Sequence, residues 1–112
     1  MIIKNVKVFT EDKRFVPGEV VIEDGLFQVE ASNQDEVIDG NGCYAIPGLV
    51  DVHFHGAVGY DFCDGTEEAI QEIAKYEASQ GVTTIVPATM TLPEEELMQI
   101  AKTAGAHKNE EG

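Results

Sequence analysis

Pro47-Gly48-Leu49-Val50-Asp51-Val52-His53-Phe54-His55-Gly56 is an apolar run launched by a Pro-Gly turn, and it carries two histidines with one residue between them. On a β-strand successive side chains point to opposite faces, so positions two apart share a face. Asp51, His53 and His55 are therefore expected on one side, with Val50, Val52 and Phe54 packing on the other. Two imidazoles on one face at the end of a strand are candidate ligands for a single metal ion, because zinc and similar ions take neutral imidazole nitrogens. Two histidines do not complete a catalytic metal site, so further His, Asp or Glu ligands must come from elsewhere. Taken alone, this HxH spacing is also what ordinary core or surface histidines produce.

The surroundings favour the metal reading. Downstream, residues 56–65 hold three glycines in ten positions, the composition of a backbone that turns tightly or approaches something closely. Thr66 is a good N-cap, and Glu67 and Glu68 suit the positive end of a helix dipole. Ala69, Ile70, Ile73, Ala74, Glu77 and Ala78 follow helical spacing, which predicts a helix over 66–80 that Gln80-Gly81 stops. Val82-Thr83-Thr84-Ile85-Val86 is β-branched and reads as a strand buried on both faces of a parallel sheet. Thr91-Leu92-Pro93-Glu94 has the form of a capping box with proline in the first turn, opening a helix over 92–104. The order β (47–55), α (66–80), β (82–88), α (92–104) is that of a parallel βα fold.

Upstream the pattern is all β. Strands are expected over 1–9, 19–23, 26–30, 37–39 and 43–46, with a polar turn at 10–13, an Asp24-Gly25 hairpin turn, a polar loop at 31–36 and a glycine-rich turn at Gly40-Asn41-Gly42. The chain thus divides into a small β segment, 1–46, and the first two βα units of an α/β domain, 47–112. A closed (β/α)8 barrel needs about 250 residues. The expectation is an N-terminal piece of something longer, or half of an assembly. In such barrels the site lies at the C-terminal ends of the strands, where His53 and His55 fall.

With 21 acidic and 7 basic residues, the chain has a net charge of −14. That argues against nucleic acid and anionic membranes as partners, since both need a basic footprint. No apolar stretch reaches the ~20 residues of a membrane span. The start lacks the pattern of a signal peptide, so a cytoplasmic location is expected. Cys43 and Cys63 stand in no CxxC spacing and are expected as buried small apolar groups. Asp51 either orients a histidine as an outer partner of the metal or is satisfied by backbone. Asp61 and Asp64 are candidate substrate contacts, although residues of this kind more often cap turns, and Asp64 reads as such a cap. His107 is expected to be exposed and idle. No GxSxG, P-loop or GxGxxG is present, so serine hydrolases and nucleotide-binding enzymes find no support.

The stretch from Pro47 to Gly56 resembles the first-strand metal motif of the amidohydrolase superfamily. Gly59-Tyr60-Asp61-Phe62-Cys63-Asp64-Gly65-Thr66 and Gly81-Val82-Thr83-Thr84-Ile85-Val86-Pro87-Ala88-Thr89-Met90-Thr91 are more specific, and resemble the family that deacetylates N-acetylglucosamine-6-phosphate. Dihydroorotases and hydantoinases share the HxH strand, but dihydroorotases expect an arginine just after it, where this chain has Gly56-Ala57. The resemblance implies a fold that is the N-terminal part of a (β/α)8 TIM-type barrel preceded by a small β-sandwich segment. It implies amide hydrolysis assisted by a divalent metal (zinc, iron or manganese) that His53 and His55 help to hold. The substrate would be a small amino-sugar phosphate, and the protein a homodimer. The family's glutamate ligand, its two later histidines, its phosphate-binding groups and its catalytic aspartate would all lie beyond Gly112, so the 112-residue chain alone is expected to be inactive. The competing expectations are another amidohydrolase, hydantoinase-like or dipeptidase-like, and a self-associating module with no catalysis.

Overall fold

The structure, a computed structural model, describes residues 1–30 and 36–107. The loop expected over 31–36 therefore lies almost wholly outside the described residues. The chain divides into two compact units, Met1–Pro47 and Gly48–Gly112.

The first unit is a five-stranded sheet built around β1 (Ile2–Phe9). β2 (Phe15–Glu23) pairs antiparallel with β1, and β3 (Leu26–Gln28) pairs antiparallel with β2. Asp24 and Gly25 between them both have positive φ, 51° and 73°, as a two-residue hairpin turn requires. β4 (Val37–Asp39) and β5 (Tyr44–Ala45) both pair parallel with β1, along its other edge. Strand patterning locates such segments but carries no information on the direction of their partner. β2 begins earlier than expected and runs through Pro17. Pro17 sits opposite Lys7, whose N–H donates instead to the Cys43 carbonyl at 2.8 Å, so no ladder bond is asked of the proline nitrogen. Ile2, Val6 and Val21 form the buried core, while Phe9, Phe15 and Tyr44 stack with centroids 5.2 and 4.7 Å apart.

The turn after β4 is held by Asp39, whose Oδ1 accepts from the Asn41 N–H at 2.8 Å and from Asn5 Nδ2 at 3.1 Å. The Asn41 N–H, then Asn5, hold this carboxyl below the ordinary aspartate range. A depressed folded-state pKa gives stability that is present above the unfolded value and lost as pH falls through the folded one. Asp39→Asn is accordingly expected to flatten the acid limb of stability between neutral pH and pH about 3, read as urea midpoints by circular dichroism. A stability limb as steep as that of the unsubstituted chain would contradict this.

The second unit contains a βαβ crossover. β6 (Leu49–Phe54) pairs parallel with β9 (Val82–Pro87), and α1 (Glu67–Ser79) connects them. Leu49 N–H to Gly81 O at 3.0 Å and Ala88 N–H to Phe54 O at 2.8 Å close the two ends of the pairing. Gly48 is required by close approach: a Cβ there would lie 2.7 Å from the Thr83 Cβ. Thr66 caps α1 as expected, its hydroxyl accepting from the Ala69 N–H at 3.2 Å. Thr66→Ala is expected to cost about 1 kcal/mol in chemical denaturation. Gly81, at φ 83°, ends the helix, its N–H donating to Ala78 O at 3.0 Å.

Two expectations are corrected here. β9 is not buried on both faces: Thr83 and Thr84 are exposed and Val86 is 51% exposed, because its partner β6 covers an edge and not a face, and among the described residues α1 is the helix that packs on it. α2 (Glu94–His107) opens on the Pro93 carbonyl, which accepts from the Glu96 and Leu97 N–H groups at 3.1 Å each, and not on a Thr91 capping box. Three glutamates in its first turn complement the helix dipole there. α2 packs through buried Ile100 and through Thr103, whose hydroxyl donates to the Gly65 carbonyl at 3.0 Å.

Candidate metal centre

His53 ends the fifth position of β6, and His55 follows the strand's last residue. Their rings meet edge to face, with centroids 5.1 Å apart, so the two imidazoles share a face as the alternation predicts. His53 is exposed and His55 half-buried. His55 Nδ1 is shut off from solvent and, among the described residues, has no hydrogen-bond partner. A buried polar atom left unpaired costs about 1–3 kcal/mol. An imidazole nitrogen kept unpaired at that cost fits a metal ligand. Among the described residues no group of three or more His, Cys, Asp or Glu comes together, so the pair is short of the three protein ligands that catalytic zinc sites use.

The neighbouring acids are engaged locally. Asp51 Oδ1 accepts from the backbone N–H of His53 at 3.0 Å, which fixes the strand beneath the imidazole without touching the ring. Asp61 caps the 3-10 turn Phe62–Asp64, accepting from the Cys63 N–H at 2.7 Å, and Asp64 returns the bond by accepting from the Asp61 N–H at 2.9 Å. The glycine-rich stretch after His55 is a small hairpin, β7 (Gly56–Ala57) and β8 (Tyr60–Asp61). Sequence patterning reads it only as a loop, because its turn puts a β-branched residue, Val58, at φ 50°. Gly56 allows the hairpin to close, since a Cβ there would lie 2.1 Å from the Tyr60 carbonyl oxygen. The Phe62 N–H then donates to the His55 carbonyl at 2.7 Å and ties the hairpin to the histidine strand. Tyr60 donates to Glu68 Oε1 at 3.1 Å, and that carboxylate holds the phenol's pKa above its ordinary value.

Three further assignments change. His107 is not idle: its Nδ1 lies 2.5 Å from Glu67 Oε1, joining the end of α2 to the start of α1. Cys43 is exposed, not buried. Cys63 is half-buried, and its Sγ accepts from the Met90 N–H at 3.2 Å.

The relatives of this chain are hydrolases of the amidohydrolase kind, deaminases and deacetylases. No family model matches the chain. It is 34% identical over 93 residues to adenine deaminase of Clostridium perfringens, covering 77% of this chain and 15% of that protein. It is 32% identical over 97 residues to N-acetylglucosamine-6-phosphate deacetylase of Homo sapiens, covering 84% of this chain and 24% of that one. Among solved structures, N-acetylglucosamine-6-phosphate deacetylase of Thermotoga maritima matches with a TM-score of 0.76 and 29% identity, over 96% of this chain and 28% of that chain. The chain therefore spans between 15% and 28% of the length of these three proteins. The resemblance to the N-terminal portion of N-acetylglucosamine-6-phosphate deacetylase holds over nearly its whole length. Among the described residues, no helix is long and apolar enough to cross a membrane.

Proposed function

We propose that this chain is the N-terminal portion of a metal-dependent amidohydrolase that removes acetate from N-acetylglucosamine-6-phosphate, leaving glucosamine-6-phosphate. The longer protein would complete the (β/α)8 barrel and work as a cytoplasmic dimer. The observation that carries the reading is the unpartnered, buried Nδ1 of His55 beside His53, in a chain that superposes on a deacetylase over 96% of its length. His53 and His55 would hold a divalent metal: zinc, iron or manganese. When bound, such a metal lowers the pKa of water and polarises the amide carbonyl. The chain's own residues orient the ligands. Asp51 pins the His53 backbone, and the hairpin β7–β8 pins the His55 carbonyl through Phe62. The remaining ligands, the proton-transferring aspartate and the phosphate-binding groups would come from the rest of the protein.

A second reading, adenine deamination, is favoured by the 34% identity to a deaminase over 77% of the chain. A paired assay separates the two. The longer protein carrying these residues, supplied with zinc, iron or manganese, is expected to release acetate from N-acetylglucosamine-6-phosphate and no ammonia from adenine. Ammonia release without acetate release would move the chain to the deaminases, and neither product would overturn both readings.

A further inference from the structure

Asn41 stands in the tight turn between β4 and β5 and is followed by Gly42. Among Asn5, Asn33, Asn41 and Asn109, the asparagines of the chain, it alone precedes a glycine. The carboxamide carbon of an asparagine lies within reach of the next residue's backbone nitrogen, and glycine, with no Cβ, hinders that approach least. Asn41 is exposed, so water reaches it. The pair occupies left-handed backbone, at φ 48° and 78°, which asparagine, aspartate and glycine adopt most readily. The turn therefore needs the residue types that make this pair chemically labile.

The turn's hydrogen bonds oppose the reaction. The Gly42 N–H donates to the Asn5 carbonyl at 2.7 Å, a short bond that retains the proton this nitrogen must lose before it can attack. On either side, the Asn41 N–H donates to Asp39 Oδ1 and the Cys43 N–H to the Gly40 carbonyl, each at 2.8 Å. Asn5 Nδ2 donates to the same Asp39 oxygen at 3.1 Å. One carboxylate thus fastens both the turn and the β1 residue whose carbonyl holds Gly42.

We propose that Asn41 is a site of spontaneous deamidation, and that the turn fastened by Asp39 holds the reaction back while the first sheet is folded. Once the turn opens, the Gly42 nitrogen gives its proton to solvent and bonds to Asn41 Cγ, closing a succinimide. The Cγ–Nδ2 bond breaks, and the side-chain nitrogen leaves as ammonia. Water then opens the ring at either carbonyl, giving aspartate or isoaspartate. Either product adds a carboxylate close to Asp39. Isoaspartate also lengthens the main chain between β4 and β5, which both pair with β1.

The chain is incubated at neutral pH, folded and in guanidinium chloride, and Asn41 is followed by peptide mass spectrometry with chromatographic separation of aspartate from isoaspartate. In denaturant Asn41 is expected to convert to both products while Asn5 stays intact. In the folded chain conversion should be at least about fivefold slower, the factor that one net hydrogen bond represents. Asp39→Ala should speed conversion in the folded chain about fivefold and leave the rate in denaturant unchanged. Circular dichroism shows whether that variant keeps its sheet. Should it unfold, Asn5→Gly takes its place with the same expected gain, since it removes the side-chain bond to Asp39 and suits the φ of 55° at that position. No conversion of Asn41 in denaturant, equal rates in the folded and denatured chain, or a folded-state rate that the folded variant does not raise would overturn the proposal.

Discussion

Replacing His55 by alanine in the longer hydrolase should weaken metal binding by about a hundredfold or more, since changes merely to groups that orient a metal ligand cost 10–100-fold. The same substitution should leave the metal-free protein's stability within about 1 kcal/mol, the centre of the distribution of single-substitution effects. The reason is specific to this imidazole: among the described residues its Nδ1 makes no hydrogen bond, so its removal breaks none there. A histidine kept for structure would behave in the opposite way, costing stability and leaving metal affinity alone. His53→Ala should also weaken metal binding, and the exposed position of that ring makes its structural cost small. Metal content after dialysis and thermal unfolding of the metal-free form read the two effects separately. Unchanged metal content in the His55 variant would remove the metal assignment.

The second large effect is expected at Ile73. It is 1% exposed on α1, and among the described residues Ala69, Ile70 and Ile100 are the other buried apolar residues of its unit. Ile→Ala at a buried site removes transfer free energy and leaves a cavity, about 2–5 kcal/mol together. Small domains hold only a modest margin of stability, so Ile73→Ala should shift the unit's denaturation midpoint sharply or unfold it at room temperature. Ile70→Val, which trims one methylene, is the control and should cost about 0.5–1.5 kcal/mol. Urea denaturation followed by helical circular dichroism separates these outcomes. Equal midpoints for the two variants would mean that the packing of α1 is not what holds this unit together.

What sequence reading captures here is chemistry local in the chain. Asp24-Gly25 requires two positive φ angles, Thr66 requires a free N–H three residues on, and Gly81 supplies a left-handed stop. Each is dictated within a few residues, and each stands where it was expected. The shared face of His53 and His55 is local too, being a consequence of strand alternation. Pairings across the chain are not so encoded. Nothing near Val37 or Tyr44 states that both strands run parallel to β1, and Glu67 meets His107 across 40 residues. The exposure of β9 has a different origin. Its β-branched composition suits burial on two faces, but burial depends on what else packs there, and its partner β6 covers an edge and not a face.

The central claim is that His53 and His55 are part of a metal site finished by a longer chain. Sequencing the gene beyond the codon for Gly112 tests it most directly. The reading frame is expected to continue, and to encode an acidic metal ligand, two further histidines and a later aspartate. A stop codon immediately after Gly112, in the intact gene, would contradict the account.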